Sequence, residues 1–346
     1  MSLDFPMRRR PFLVGALAGA GLPVAAQAQA QAAVTARATP ARPIFVLNSL
    51  DATISQIDPA TRQEVRRIPT GKEPHHLYLT PDEKTLIVAN ASGNSLTFID
   101  PMTGNLQRVV NDVIDPYHLR FSPDMKWFVT AANRLNHVDV YRWQPANAAR
   151  PLELAKRIEA PKTPSHLAID TRSSVVYVSL QDSDELLAID LATLAPRWKL
   201  KTGKLPADLY LTPDDRTLLV GLTGDRFVEA YDVSVSPPKL AKRIATGAGA
   251  HAFRSMGDKR HVFVSNRVAN TISQIDHQAL AVVAELPGPG GPDCMELLAD
   301  GRTLLVSSRW ARKLSFVDIP SRKVVHQTDV GRSPHGVWTL DHAPRQ

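Results

Sequence analysis

Six of the eleven histidines in this 346-residue chain fall at two neighbouring positions of one recurring segment. The segment has the form Pro-x-His-Leu-x-apolar-Thr-Pro-Asp. It reads PHHLYLTPD at 74–82, PYHLRFSPD at 116–124, PSHLAIDTR at 164–172 and PADLYLTPD at 206–214. Weaker copies are AHAFRSMGD at 250–258, PDCMELLAD at 292–300 and PHGVWTLDH at 334–342. Aligned on the closing acid or its equivalent, the sixth residue before it is His76, His118, His166, Asp208, Ala252, Cys294 and Gly336 in turn. One residue earlier stand His75, His251, His335 and Asp293, at a position read as a loop. Neutral imidazole, carboxylate and thiolate suit zinc, copper or iron. Imidazole also serves as an axial haem ligand. The candidate metal ligands are therefore His76, His118, His166, Asp208, Cys294, His75, His251 and His335. There is no His-x-x-x-His or Cys-x-x-Cys spacing. Only a fold that gathers distant segments could assemble such a site.

Two residues further on, the same segment carries Tyr78, Arg120, Ala168, Tyr210, Arg254, Glu296 and Trp338. These alternate with apolar pairs such as Leu77/Leu79, Leu119/Phe121 and Leu167/Ile169. Strict alternation puts the two sets on opposite faces of a strand. The polar set is expected to face a shared axis, with Tyr78, Arg120, Tyr210, Arg254, Glu296 and Trp338 as ligand-binding residues. Arg120 and Arg254 either clamp an anion or pair with Glu296 and Asp208. For the histidines three readings stay open: a metal or metallo-cofactor site, a metal-free ligand site, or imidazoles that bond a neighbour's carbonyl and stitch the structure together. Cys294 reads as an inert buried thiol or as a ligand. The acids Asp82, Asp124, Asp214 and Asp300 close Pro-Asp-type turns and are structural. No nucleophile motif such as Gly-x-Ser-x-Gly is present, although a lactonase-type hydrolase could activate water with a metal or with His, Arg or Glu in the channel.

The elements that would position these residues repeat too. The seven segments begin 42, 48, 42, 44, 42 and 42 residues apart. A period in the low forties with short strands points to propeller blades. Between the segments run β-rich pairs around small polar turns, such as TLIVANASGNSLTFID at 85–100 and HVFVSNRVANTISQID at 261–276. Such pairs are hairpins. With an outer strand such as QRVV, each unit holds four strands. The first hairpin, at Ile44, has no inner strand before it, and GVWTL at 336–340 has no hairpin after it. Joining them completes one blade from both ends and leaves no open sheet edge. The expectation is an all-β, seven-bladed propeller of four-stranded antiparallel blades over residues 44–340.

IVAN, FVSN and YVSL stand where the YVTN-repeat propellers carry their tetrapeptide, and LTPDEKT and FSPDMKW stand where those have SPDGK. The chain thus resembles the YVTN-repeat family, which is similar to YncE-type periplasmic proteins and to the haem d1 domain of cytochrome cd1 nitrite reductase. The resemblance covers roughly residues 44 to 340 and implies the fold. It leaves function among binding proteins, cofactor-holding enzymes and lactone hydrolases. The leading expectation is a ligand, metallo-cofactor or protein partner held at the mouth of the central channel. The alternatives are a metal-dependent hydrolase or redox enzyme using the same ring, and a pure protein-interaction platform. Copper, zinc, iron and haem are the candidate cofactors.

Residues 1–30 have a basic start, an apolar stretch and small-residue steps ending at Ala28 or Ala30, as in a cleaved signal peptide. Arg9-Arg10-Pro11-Phe12-Leu13 resembles the twin-arginine consensus, with an ordinary secretory signal as the alternative. Residues 31–43 read as a flexible leader, and the expected location is the periplasm. No other segment is long and apolar enough to span a bilayer as a helix. Cys294 is the single cysteine, so no intramolecular disulfide forms. The formal charge of +7 lacks a Lys/Arg run with interleaved aromatics, so a nucleic-acid face is not expected. The chain is expected to act as a monomer.

Overall fold

The computed structural model describes residues 42–147 and 149–345; the expected signal peptide and most of the leader lie outside them. The described residues hold twenty-eight strands, β1 to β28 in chain order, and one short 3-10 turn at Gln181–Ser183. The strands form seven four-stranded antiparallel sheets. The inner strands are β4 (Pro74–Leu79), β8 (Pro116–Phe121), β12 (Pro164–Ile169), β16 (Pro206–Leu211), β20 (Ala250–Ser255), β24 (Pro292–Leu297) and β28 (Pro334–Thr339). Six of them begin their own blade. The seventh, β28, pairs with β1 (Ile44–Asn48), matching Phe45 to Trp338 and Val46 to Val337. The ring is therefore closed by both ends of the chain, as the unpaired terminal strands of the sequence require.

The middle strands are buried on both faces, and β1 shows no exposed residue along Ile44–Asn48. Their β-branched and aromatic residues fill seven apolar clusters, each drawn from two neighbouring blades. Blade-to-blade packing is thus the main hydrophobic term in this fold. The outer strands stay charged. β19 (Lys239–Ala245) exposes every residue except Ile244, and its lysines discourage pairing with another chain's edge.

The asparagine that ends several of the YVTN-like tetrapeptides has a definite job. Asn266 Nδ2 donates to Thr271 Oγ1 at 3.0 Å and Ser273 Oγ at 2.9 Å across its hairpin. Asn90 bonds Ser95 and Thr97 in the same way, and Asn48 bonds Thr53 and Ser55. These polar groups are buried, so removing one partner strands the others. Asn266→Leu is expected to lower stability by about 1–3 kcal/mol, read as a shift in the urea midpoint. A loss below about 0.5 kcal/mol would show that the hydroxyls find other partners.

The turn acids are fully engaged as turn formers. Thr80 Oγ1 donates to Asp82 at 2.7 Å and the Lys84 amide to the same oxygen at 3.2 Å, with equivalents at Ser122/Asp124 and Thr212/Asp214. Strand-ending acids such as Asp58, Asp100 and Asp190 accept the amides two and three residues on.

One irregularity recurs in all seven blades. Each inner strand carries one extra residue near its start, between Pro74 and Leu77 in β4 and at the equivalent place in the others. Such a bulge re-aims side chains that a regular strand would send to opposite faces.

Candidate functional site

The bulge decides what occupies the axis. Strict alternation sends consecutive residues apart, yet the His75 and His76 rings sit 4.8 Å apart. The residue read as a loop position is in fact the second residue of each inner strand, and it too turns inward. The axis therefore collects two imidazole layers where alternation expects one.

His76, His118 and His166, from three successive blades, have ring centroids 4.4, 4.8 and 5.0 Å apart. His75 and His335 stack at 3.7 Å, and His75 also meets the Tyr117 ring at 4.0 Å. All six histidines are buried, with His76 the most accessible at 9%. Burial drives His75, His76, His118, His166 and His335 well below the usual histidine range, and the charges of neighbouring imidazoles add to it. Burial first, then Arg267, brings His251 down to about 4. At neutral pH these rings are uncharged, and each then has one nitrogen lone pair.

Their partners differ. His335 Nδ1 donates to the His75 carbonyl at 2.9 Å, bridging two neighbouring blades. Gly336 permits that approach, because a Cβ there would lie 3.1 Å from the same carbonyl. This is the stitching arrangement, and it holds for His335. His166 Nδ1 meets Ser165 Oγ at 2.9 Å. His76 Nε2, His118 Nδ1 and His166 Nε2 are buried with no hydrogen-bond partner.

Asp293 anchors the other end of the imidazole cluster. Its Oδ2 accepts from Arg267 at 2.7 Å and Arg309 at 3.1 Å. Its Oδ1 lies 3.1 Å from His251 Nε2 and 3.3 Å from His335 Nε2. Burial alone would raise this carboxyl; Arg267, His335 and His251 reverse that and hold it well below the usual carboxylate range.

Next to the histidines lies a cavity of about 300 Å³. Every residue of the predicted axial set borders it except His166, from His76 and Tyr78 through Arg120, Asp208, Tyr210, Arg254, Cys294 and Glu296 to Trp338. Pro123 and Arg345, which follow the inner strands, also line it. The cavity thus extends toward the ends of the inner strands, with His76 and His118 in its inner wall. The opposite mouth of the channel is the one where the inner strands begin. There His75, His251 and His335 are at most 2% exposed.

The arginines divide. Arg254 is consumed: Nε pairs with Glu296 at 2.5 Å, and Nη2 donates to the Ala343 carbonyl at 2.7 Å. Arg345 holds the other Glu296 oxygen. Among the described residues Arg120 bonds no carboxylate. It donates to its own Leu119 carbonyl at 3.2 Å and lies 5.3 Å over the Tyr78 ring. Asp208, raised by burial, accepts the Leu209 and Phe253 amides.

Among the described residues three groups have ligand atoms within 4.8 Å of one another: His75/His76/His335, His76/His118/His166 and His251/Asp293/His335. Asp208 and Cys294 belong to none of them. Burial raises the Cys294 thiol well above its usual range, and its sulfur lies 3.5 Å from His335 Nδ1. The rings are too close together for a tetrapyrrole to pass between them, whereas a single ion is of the right size. Tyr117, Arg267, Arg309 and Arg345 complete the axis and were not singled out from sequence. Tyr117 shares the His75 repeat position, and Arg267 and Arg309 share one position just after a middle strand; reading whole columns of the repeat would have found them.

A family model described as a YncE-like β-propeller matches residues 3–345. The protein YncE of Salmonella typhi is 27% identical over 149 residues, 42% of each chain. The match thus spans less than half the length of that relative. Among solved structures, the periplasmic gluconolactonase PpgL of Pseudomonas aeruginosa superposes with a TM-score of 0.73 at 18% identity, covering 86% of this chain and 98% of that one. The dihydro-heme d1 dehydrogenase NirN gives 0.65 at 16% identity, covering 88% and 76%. At these identities the likeness is one of fold. No helix among the described residues is long and apolar enough to cross a membrane.

Proposed function

We propose, for a chain that belongs to the YncE-like β-propeller family, that it binds a small polyhydroxylated carboxylate in the axial cavity. The observation that carries this reading is Arg120, a guanidinium in the cavity wall that no carboxylate among the described residues bonds. A guanidinium recognises a carboxylate through paired, charge-assisted hydrogen bonds. Around it stand groups that suit a hydroxylated chain: the Asp208 carboxylate as an acceptor, and the aromatic side chains of Tyr78, Tyr210 and Trp338 in the same wall. A volume near 300 Å³ suits a guest of this size. A protein of the same fold is a gluconolactonase, and hydrolysis of such a lactone yields a compound of this class, which adds support by analogy of fold. The proposed setting is the periplasm, on the strength of the leader around Arg9 and Arg10.

The test is calorimetric titration with gluconate. Wild type is expected to bind it, and Arg120→Ala to bind about 10- to 100-fold more weakly through loss of a charged hydrogen bond. Absence of binding to wild type, or equal affinity in the variant, overturns the reading. Hydrolysis of glucono-1,5-lactone above its spontaneous rate in the same samples would move the protein from binder to hydrolase.

A further inference from the structure

We infer that His76, His118 and His166 form a binding site for one borderline transition-metal ion, zinc or copper, in the inner wall of the axial cavity. The inference goes beyond the ligand reading and does not depend on it, since the metal would be held whether or not Arg120 recognises a carboxylate.

The three side chains come from β4, β8 and β12, so the ring closure and not local spacing brings them together. One nitrogen of each lies within 4.8 Å of one from each of the others. Bonds of about 2.0–2.1 Å in a tetrahedral site put ligand nitrogens about 3.3 Å apart. Small ring rotations close that gap. Each ring also has a buried nitrogen left without a hydrogen bond: Nε2 of His76, Nδ1 of His118 and Nε2 of His166. Buried polar atoms are nearly always satisfied, so these orphans, which His75 Nδ1, His251 Nε2 and His335 Nε2 join, call for an explanation. The stitching role that accounts for His335 does not account for His76, His118 and His166, because no backbone carbonyl receives these rings among the described residues.

The chemistry narrows the ion. Three neutral imidazoles with no carboxylate favour zinc or copper over magnesium or calcium, which seek oxygen. The His166–Ser165 contact at 2.9 Å occupies Nδ1 and leaves Nε2 for the ion, as an outer partner does in metal sites. His76 and His118 border the cavity, so the cluster lies against the space where a ligand would lie. Arg120 and Asp208 both line the same cavity and bring one charge of each sign to it. The His251/Asp293/His335 group is the weaker candidate. Its carboxylate already holds two guanidiniums at 2.7 and 3.1 Å, and a divalent ion there would meet both.

The experiment uses the full chain, stripped with a chelator and titrated with Zn2+ alone, then with Co2+ as a spectroscopic substitute. One ion per chain is expected, with visible Co2+ bands of low-coordinate nitrogen ligation. His118→Ala and His166→Ala are each expected to weaken binding about 100-fold or more, beyond the loss from an outer-partner change. His251→Gln should leave it unchanged. Should the alanine variants fail to fold, the wild-type stoichiometry and Co2+ spectrum still decide. No ion bound by wild type, or binding abolished by His251→Gln and kept by His118→Ala, overturns the inference. Gluconate is absent throughout, so failure here leaves the ligand reading standing, and the reverse holds as well.

Discussion

Lowering the pH from 7 to about 5.5 is expected to remove most of the stability of this fold. The reason is the buried imidazole cluster. Six histidines are held uncharged in the folded protein, with values depressed below the usual 6.5. In the unfolded chain each titrates normally. A depressed histidine makes the unfolded state the better proton binder below pH 6.5. Stability is then complete above that pH and falls as the pH drops toward the folded values. Each such group costs about 1.4 kcal/mol per pH unit in that window, so six approach about 8 kcal/mol. A domain has only about 5–15 kcal/mol in total. Thermal unfolding at pH 7.5, 6.5 and 5.5 checks this. A melting temperature that stays level to pH 5 would mean that the imidazoles charge inside the native state, and so that water reaches them. Asp293 acts later and in the same direction. Its depressed value keeps its contribution in place until the pH falls below the ordinary carboxylate range.

The second large effect concerns Asp293 itself. Asp293→Asn is expected to cost about 3–5 kcal/mol, because it leaves two guanidiniums partly buried without their counter-charge. The carboxylate is fully buried and is the one acid among the described residues that Arg267 and Arg309 share. Loss of packing is not the cause, since the amide has nearly the same shape. Combining the substitution with Arg267→Leu and Arg309→Leu should therefore recover part of the loss, a coupling that a cycle of variants measures. Urea unfolding at pH 7.5 reads both. A cost below about 1 kcal/mol for the single change would show that this end of the axis is wet.

Much of the molecule can be read from its repeats. The period near 42 and the orphan strands at Ile44 and Gly336 specify seven closed blades, because a propeller with a free edge would be exposed to pairing with other chains. The inward set Tyr78, Arg120, Tyr210, Arg254, Glu296 and Trp338 also follows from period-two patterning, since a strand has only two faces. What patterning misses is the bulge. It adds one residue to each inner strand, and no residue type marks it. His75 thus reads as a loop residue while its ring lies against His76. The fate of the arginines is equally invisible. Arg120 and Arg254 occupy the same repeat position, yet Arg254 is captured by Glu296 and by the carbonyls of a C-terminal segment that no repeat describes. The histidine column shows which groups share the axis. Their separations, and the orphaned nitrogens, need coordinates.

The closing strand has a consequence for how the protein is made. The inner strand of the first blade is the last stretch of the propeller to be synthesised. Until residues 334–339 leave the ribosome, the nascent chain is a ring with a missing stave. His335 and Gly336 are absent, and the axis is an open trough. Anything retained at the channel centre by walls on all sides must be taken up after residues 334–339 have joined the ring.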